Sequence, residues 1–321
     1  MNIQPVDVSN WRVDDEHGIF PIGARDKQML WSPSEPLEGI KPNWPYLFKL
    51  SRPVYPEQFW METVAYLVSE AMGVKVPLAL PSFKREFEDG LVCGSLIEWF
   101  YDRNSQTFVH AADFFQQLIK DFDNDTGSQH NIEDLFLICR MFRSAPTIDF
   151  PLRWEFWYFD LLIFDTLIGN SDRHQENWGM IFDPPTQSDG KRKVSLSPLF
   201  DNGTSLGHER FPERIKSWSD DQVRNYIFKG RHHLRYTRRD TKIRVKHIES
   251  IEKMLSTKSA SKEHLEQRLS FDLEVLLAKI ELLCNIKIQV PFSRERADWT
   301  IRLLKCRHQM LTKIVRDYDD K

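Results

Sequence analysis

From Trp154 to Ile168 the chain reads Trp-Glu-Phe-Trp-Tyr-Phe-Asp-Leu-Leu-Ile-Phe-Asp-Thr-Leu-Ile, apolar on nearly every face of a helix. Such a helix has to be covered on all sides, so it predicts the centre of a large helical core. It is too short to cross a bilayer and carries acids, which makes it a poor membrane candidate. Asp160 and Asp165 within it are expected to be hydrogen-bonded structural acids. The helix runs directly into a polar stretch, Leu167–Asn177, and a second polar stretch, Ser197–Gly203, follows a segment dense in turn formers from Asp183 to Gly190. Trp178 to Phe182 and Lys193 to Leu196 read as two short strands around that turn, a hairpin that brings Asn177 and Asp201 side by side.

Asp172, an Asn five residues later and a second Asp after a hairpin are the arrangement by which phosphoryl transfer is supplied with one base and magnesium ligands. Magnesium takes oxygen donors and keeps several waters, so one or two carboxylates or amides suffice while nucleotide phosphates complete its octahedron. Asn177 and Asp201 fit the metal role, and Asp172 the task of orienting an acceptor hydroxyl. The plainer alternative is a polar loop whose Asp, Asn and Gly cap helices and make turns.

The remaining parts of such a site have candidates upstream. Tyr46 to Leu50 is a compact apolar run around one cation, Lys49, as in a buried strand presenting an ammonium to phosphates; the competing reading is a surface lysine snorkelling at a strand end. Gln58 to Met72 has helical spacing and stops at Gly73. Glu62 on that helix is the expected partner of Lys49, with a solvated helix face as its alternative and Glu57 and Glu70 as competitors. Ala79 to Phe83 and Leu91 to Trp99 read as strands joined by the charged turn Lys84 to Gly90. The turn Ile22–Lys27 contains one glycine, Gly23, whose missing Cβ would let backbone N–H groups approach phosphates; an ordinary surface turn has the same composition.

These words, Leu167–Gly179, Leu196–Gly207, Tyr46–Leu50 and Leu96–Arg103, resemble the HipA-like kinases, and within them the shorter CtkA-like members. They extend over residues from about 20 to 210. The Asp-Arg-His-x-x-Asn pattern is also similar to that of the phosphatidylinositol kinases. The resemblance implies an α+β, bilobal protein-kinase-like fold, use of ATP with Mg2+, and transfer to a Ser or Thr of a protein substrate. It implies that Gly23 and Lys27 belong to the phosphate-covering loop, that Glu98 and Phe100 lie at the hinge beside adenine, and that His174 orients the catalytic loop. The regulatory Ser of this family's covering loop has no counterpart from Gly18 to Trp31; Ser32 and Ser34 follow. Many members are toxins restrained by a small DNA-binding antitoxin, which makes such a protein a candidate partner, although this chain is shorter than full-length HipA.

Residues 1–100 are strand-rich with one clear helix and form the expected N-terminal lobe; 101–321 form a helical C-terminal lobe. Its expected helices are Ala111 to Asp121, Ile132 to Phe142, Trp154 to Ile168, Glu263 to Cys284 and Arg294 to Tyr318, with Ser256 to Lys262 as an exposed linker. The 321-residue chain has a net charge of −3, which argues against a globally basic nucleic-acid binder. Four cysteines without paired spacing suggest neither zinc nor disulfides, and no basic-then-apolar leader or bilayer-length apolar run is present, so a reducing cytoplasm is the expected compartment. Against the acidic average stands a basic segment, residues 229–246. It could contact RNA, an acidic partner or a phosphate, or be a solvated face. Two other functions therefore stay open beside a protein kinase: a kinase with a lipid or small-molecule acceptor, and a non-enzymatic pseudokinase or RNA-binding module.

Overall fold

Short apolar runs before residue 100 pair into one sheet, and the position of Lys49 in it follows from the register. The computed structural model describes residues 3–15, 26–86, 90–185, 190–257 and 260–318. Strands β1 (Val6–Asp7), β2 (Arg12–Val13), β3 (Lys27–Trp31), β4 (Pro45–Leu50), β5 (Ala79–Glu86) and β6 (Gly90–Glu98) lie in the order β1-β5-β6-β4-β3-β2. Lys49 is opposite Lys27 on one side and Ser95 on the other, so the three side chains share a face. Beside them, a Cβ on Gly94 would lie 2.7 Å from the Lys49 carbonyl oxygen and 2.9 Å from the Phe48 ring. This close approach of β4 and β6 requires glycine.

Helix α1 (Trp60–Met72) starts two residues later than its periodicity suggests, because Pro56–Phe59 first makes a tighter 3₁₀ turn. It ends at Gly73, whose φ of 67° is the left-handed conformation that glycine adopts freely. Burial on α1 extends beyond the apolar stripe to Glu62, Thr63 and Ser69. The helix is covered by β5 and β6 on one side and, on the other, by helices of the larger lobe.

That lobe holds a second sheet, β7 (Thr107–His110), β8 (Ile148–Asp149), β9 (Gly179–Pro185) and β10 (Arg192–Leu196), ordered β7-β9-β10-β8. The β9–β10 hairpin matches the sequence reading; β7 and β8 were not anticipated, being too short to carry an alternation. Helices α2 (Ala111–Leu118), α3 (Ile132–Ser144), α4 (Glu155–Ile168), α5 (Pro212–Ile215), α6 (Asp220–Phe228), α7 (His247–Thr257), α8 (Ser261–Leu269), α9 (Leu273–Leu282) and α10 (Arg294–Arg316) complete the described fold. As its composition requires, α4 is central: it packs against α1, α7, α8 and α10.

The expected single helix from Glu263 to Cys284 is in fact two. Asp272 breaks it by accepting a hydrogen bond from Val275 N at 3.1 Å, an N-cap that starts α9 afresh. Of the expected linker at Ser256–Lys262, residues 256–257 end α7 and 261–262 begin α8, and Ser261 is fully buried with its hydroxyl 3.3 Å from the Met254 carbonyl oxygen. All four cysteines are unpaired. Among the described residues no helix is long and apolar enough to cross a membrane.

Candidate active site

Helix α4 delivers the chain to the polar loop through a left-handed Gly169, φ 69°, and Asn170 N closes the turn onto the Asp165 carbonyl oxygen at 2.8 Å. Asp165 is fully buried, as is Arg173. The Arg173 guanidinium grips both Asp165 carboxylate oxygens, at 2.8 and 3.2 Å. Burial pushes the Asp165 carboxyl pKa up, and the adjacent guanidinium opposes that rise by stabilising the carboxylate. Arg173 then reaches across the cleft floor, donating to the Phe200 carbonyl oxygen and to Asn202 Oδ1, the latter at 2.6 Å. One side chain thus joins the two polar stretches that the sequence connects only through a hairpin.

Within the loop, Asp172 N donates to Asn170 Oδ1 at 3.0 Å. The Asp172 carbonyl oxygen accepts from His174 N and from Asn177 Nδ2, both at 2.8 Å. That bond turns the Asn177 amide so that its nitrogen faces the loop, leaving Oδ1 without an intramolecular donor among the described residues. The Asp172 carboxylate accepts from Thr204 Oγ1 at 3.5 Å, the outer limit of a hydrogen bond.

Opposite this loop, three consecutive residues each hold a different element. Phe200 accepts from Arg173. Asp201, at φ 58°, turns its carboxylate to Lys49 Nζ at 2.5 Å. Asn202 N donates to Glu62 Oε2 at 2.8 Å, and Lys49 Nζ also lies 3.3 Å from Glu62 Oε1. The Lys49 and Glu62 side chains are 5% and 3% exposed, whereas Asp201 is 29% exposed. A left-handed backbone is uncommon for any residue other than glycine, and Asp is among those that tolerate it. Lys49 is therefore a buried inward-facing cation, and Glu62 is the acid beside it. Glu57 instead pairs with Arg296 at 3.3 Å and accepts from Ser293 N at 2.9 Å.

Other expected positions divide. Lys27 shares the Lys49 face of the sheet, while Gly23 lies outside the described residues. The Glu98 carboxylate is ion-paired with Lys41, and its N–H donates to the Leu78 carbonyl oxygen at 2.8 Å. Phe100 stacks on Phe200 with ring centroids 4.9 Å apart and meets the edge of Phe108 at 5.1 Å. Beside it opens a cavity of about 540 Å³ lined by Tyr66, Glu70, Lys75, Leu78, Glu98 and Phe100 among others. A larger open cavity of about 920 Å³ lies against Phe83, Leu91 and the chain from Cys284 to Pro291, where Lys287 is the one charged lining residue among those described. Ser32 is buried and donates to the Lys41 carbonyl oxygen at 2.6 Å.

The His174 ring accepts from Glu176 N at 3.2 Å and meets the edge of His233 at 5.8 Å. The visible anchoring of the loop comes from Arg173, which sequence reasoning passed over although it stands inside the quoted motif. The basic segment is not simply a solvated face: His232, Leu234, Arg235 and Val245 are buried, and Arg244 donates to the Ser171 carbonyl oxygen. Burial holds His130 and His232 well below the usual histidine range, and lowers His233 and His247 to about 3. Among the described residues no group of three His, Cys, Asp or Glu side chains forms a ready metal cluster. A carboxylate and an amide oxygen, the pair offered by Asp201 and Asn177, are the donors magnesium takes from proteins that also bring it phosphate.

A six-stranded sheet, a helix carrying the partner of its lysine, and a helical lobe with a catalytic-type loop define a kinase-like bilobal fold. The chain belongs to the HipA-like C-terminal domain family, whose model matches residues 21–261. The serine/threonine-protein kinase CtkA of Helicobacter pylori is 32% identical over 82 residues, a segment covering 25% of this chain and 22% of that kinase. The crystal structure of a Helicobacter pylori proinflammatory kinase, CtkA, matches with a TM-score of 0.71 at 17% identity, over 97% of this chain and 96% of that one. A chain of the Shewanella oneidensis HipA, HipB and operator DNA complex matches with a TM-score of 0.51 at 12% identity, over 95% and 68%. At such identities the two structures speak for the fold.

Proposed function

We propose that this protein is a magnesium-dependent ATP:protein phosphotransferase acting on Ser or Thr. The observation that carries the reading is the convergence of Lys49, Glu62 and Asp201, from three separate elements, into one buried charge cluster at 2.5 and 3.3 Å. Lys49 contacts the α and β phosphates, and Glu62, held by Asn202 N, steadies it. Asn177 Oδ1 and the Asp201 carboxylate would hold magnesium, which when bound would supply positive charge against that developing in transfer. Asp172 receives the acceptor hydroxyl and takes up its proton as the oxygen bonds the γ-phosphorus and the bond from that phosphorus to the bridging oxygen of ADP breaks, ADP leaving. Because the Glu98 carboxylate is occupied by Lys41, the adenine edge is read by backbone groups around Glu98 to Phe100, with Phe100 as the apolar wall. Gly23 and Lys27 cover the phosphates.

Incubating the protein with γ-labelled ATP, a mixed protein acceptor and lipid vesicles, with and without magnesium, tests this. Label on protein Ser or Thr, lost with chelator, is the expected result. Label in lipid, or none in any fraction, contradicts it. The reading stops at a protein acceptor: assembly with HipB and operator DNA is a property of the HipA relative.

A further inference from the structure

The segment Lys229–Lys246 holds eight Lys or Arg against one Asp, in a chain whose net charge is −3. Two of these cations are neutralised: Arg238 pairs with Asp134 and Lys246 with Glu249. Two more are hydrogen-bonded without being neutralised. Arg235 donates to the carbonyl oxygens of Gly127 and His233 at 2.9 and 2.8 Å. Arg244 donates to those of His232 and Ser171. A carbonyl oxygen satisfies an N–H but leaves the formal charge in place.

Position makes this excess informative. Ser171 adjoins Asp172, so Arg244 is fastened to the residue before the proposed acceptor site. It lies within electrostatic reach of Asp172, Arg231 and Arg235, and burial together with the two guanidiniums depresses its pKa. Among the described residues its second terminal nitrogen, Nη1, has no intramolecular acceptor, and the exposed Arg231 has no acidic partner. Two guanidiniums within electrostatic reach of each other, neither of them in an ion pair among the described residues, are a ready receptor for an anion, since Arg matches carboxylate and phosphate geometry.

We propose that Arg231 and Arg244 form a subsite for a carboxylate side chain flanking the acceptor hydroxyl, so that the protein acceptor is an acidic segment. This rests on the phosphotransferase reading. A polyanion such as RNA is the weaker match, because nucleic-acid affinity comes chiefly from the number of phosphates that free Lys and Arg can neutralise. Here part of the segment is already neutralised internally, and the whole chain is acidic.

Three fluorescent peptides decide it, each with one Ser, flanked by Glu, Ala or Lys, assayed for binding by anisotropy and for transfer from ATP. The Glu-flanked peptide is expected to bind and react best. In Arg231→Glu its KM rises about tenfold while kcat changes by less than about twofold, and the Lys-flanked peptide gains. Arg231 is exposed, so the variant is expected to keep the wild-type circular dichroism and melting curve. Equal use of all three peptides, or an unchanged preference in Arg231→Glu, overturns the subsite while leaving phosphotransfer standing. Binding of the Glu-flanked peptide with no transfer to any acceptor supports the subsite and overturns the reading it rests on. Tighter binding of a labelled single-stranded RNA, abolished by Arg231→Glu, assigns the surface to nucleic acid and overturns the proposal.

Discussion

The two sides of the cleft are built differently. On the nucleotide side, Lys49, Glu62, Arg173 and Asp165 are buried, and their charges meet acids or bases with multiple hydrogen bonds. On the acceptor side, the Asp172 carboxylate makes, among the described residues, one side-chain hydrogen bond of 3.5 Å, and Arg244, within electrostatic reach of Asp172, and the nearby Arg231 are in no ion pair there. The contrast follows from what each side meets. A triphosphate presents the same charges every time, so fixed buried ion pairs can be matched to it. A protein acceptor brings its own groups, and unneutralised cations at a partly open surface leave room for them. Covering α1 with helices of the larger lobe extends the same fixing to Glu62, which rides on a helix with little freedom to swing.

The sharpest way to break the contrast is to remove a reacting group from each side. Asp201→Ala and Asp172→Ala are each expected to lower phosphotransfer at least about a thousandfold, about 4 kcal/mol of barrier, while thermal unfolding stays near wild type. Calorimetric titration of nucleotide with and without magnesium separates the two, because only Asp201→Ala loses the magnesium-dependent part of binding.

Next comes the buried pair. Arg173→Met leaves Asp165 as an uncompensated interior charge and is expected to cost about 3–5 kcal/mol in urea unfolding. Adding Asp165→Leu recovers most of that loss, whereas activity stays low because Phe200 and Asn202 are no longer held. A double variant as unstable as the single one contradicts the assigned role of the pair.

A smaller effect concerns the histidines behind the loop. His130, His232 and His247 are neutral in the fold and titrate at the ordinary value near 6.5 once unfolded, so the unfolded chain binds more protons below that pH. Their depressed folded values mean that stability is full above about pH 6.5 and is lost as pH falls below it, for His247 down to about 3, by roughly 1.4 kcal/mol per pH unit for each histidine. His247→Gln should flatten the acid limb of a stability-against-pH curve; an unaltered slope contradicts its neutral, buried state.

The smallest effect is expected at the rim. Lys41→Ala removes an exposed partner of Glu98 and should change stability by less than about 1 kcal/mol, with nucleotide affinity nearly unaltered. A tenfold loss of affinity there would mean that the Glu98 carboxylate takes part in reading the nucleotide.

Much of this arrangement was legible before any coordinates. The all-apolar α4, the strand around Lys49, the helix with Glu62 and the β9–β10 hairpin follow from periodicity and turn chemistry over short spans. What escaped depends on contacts distant in sequence. Nothing local marks Arg173 as the link between the loop and Phe200, though one Asp, Asp165, four residues short of the glycine that ends an apolar helix was a signal that it needed a buried cation. The basic segment looked like a surface because composition records charge and not the backbone carbonyls that receive it. The ion pair that occupies the Glu98 carboxylate was likewise hidden, because Lys41, 57 positions away, is invisible to a local reading.

The most direct test of the central claim is a crystal structure with magnesium and a non-hydrolysable ATP analogue. The account predicts a metal about 2.1 Å from Asn177 Oδ1 and from an Asp201 carboxylate oxygen, with Lys49 Nζ on the α and β phosphates and the γ-phosphate facing Asp172. Nucleotide bound elsewhere, or a metal held by neither Asn177 nor Asp201, would contradict it.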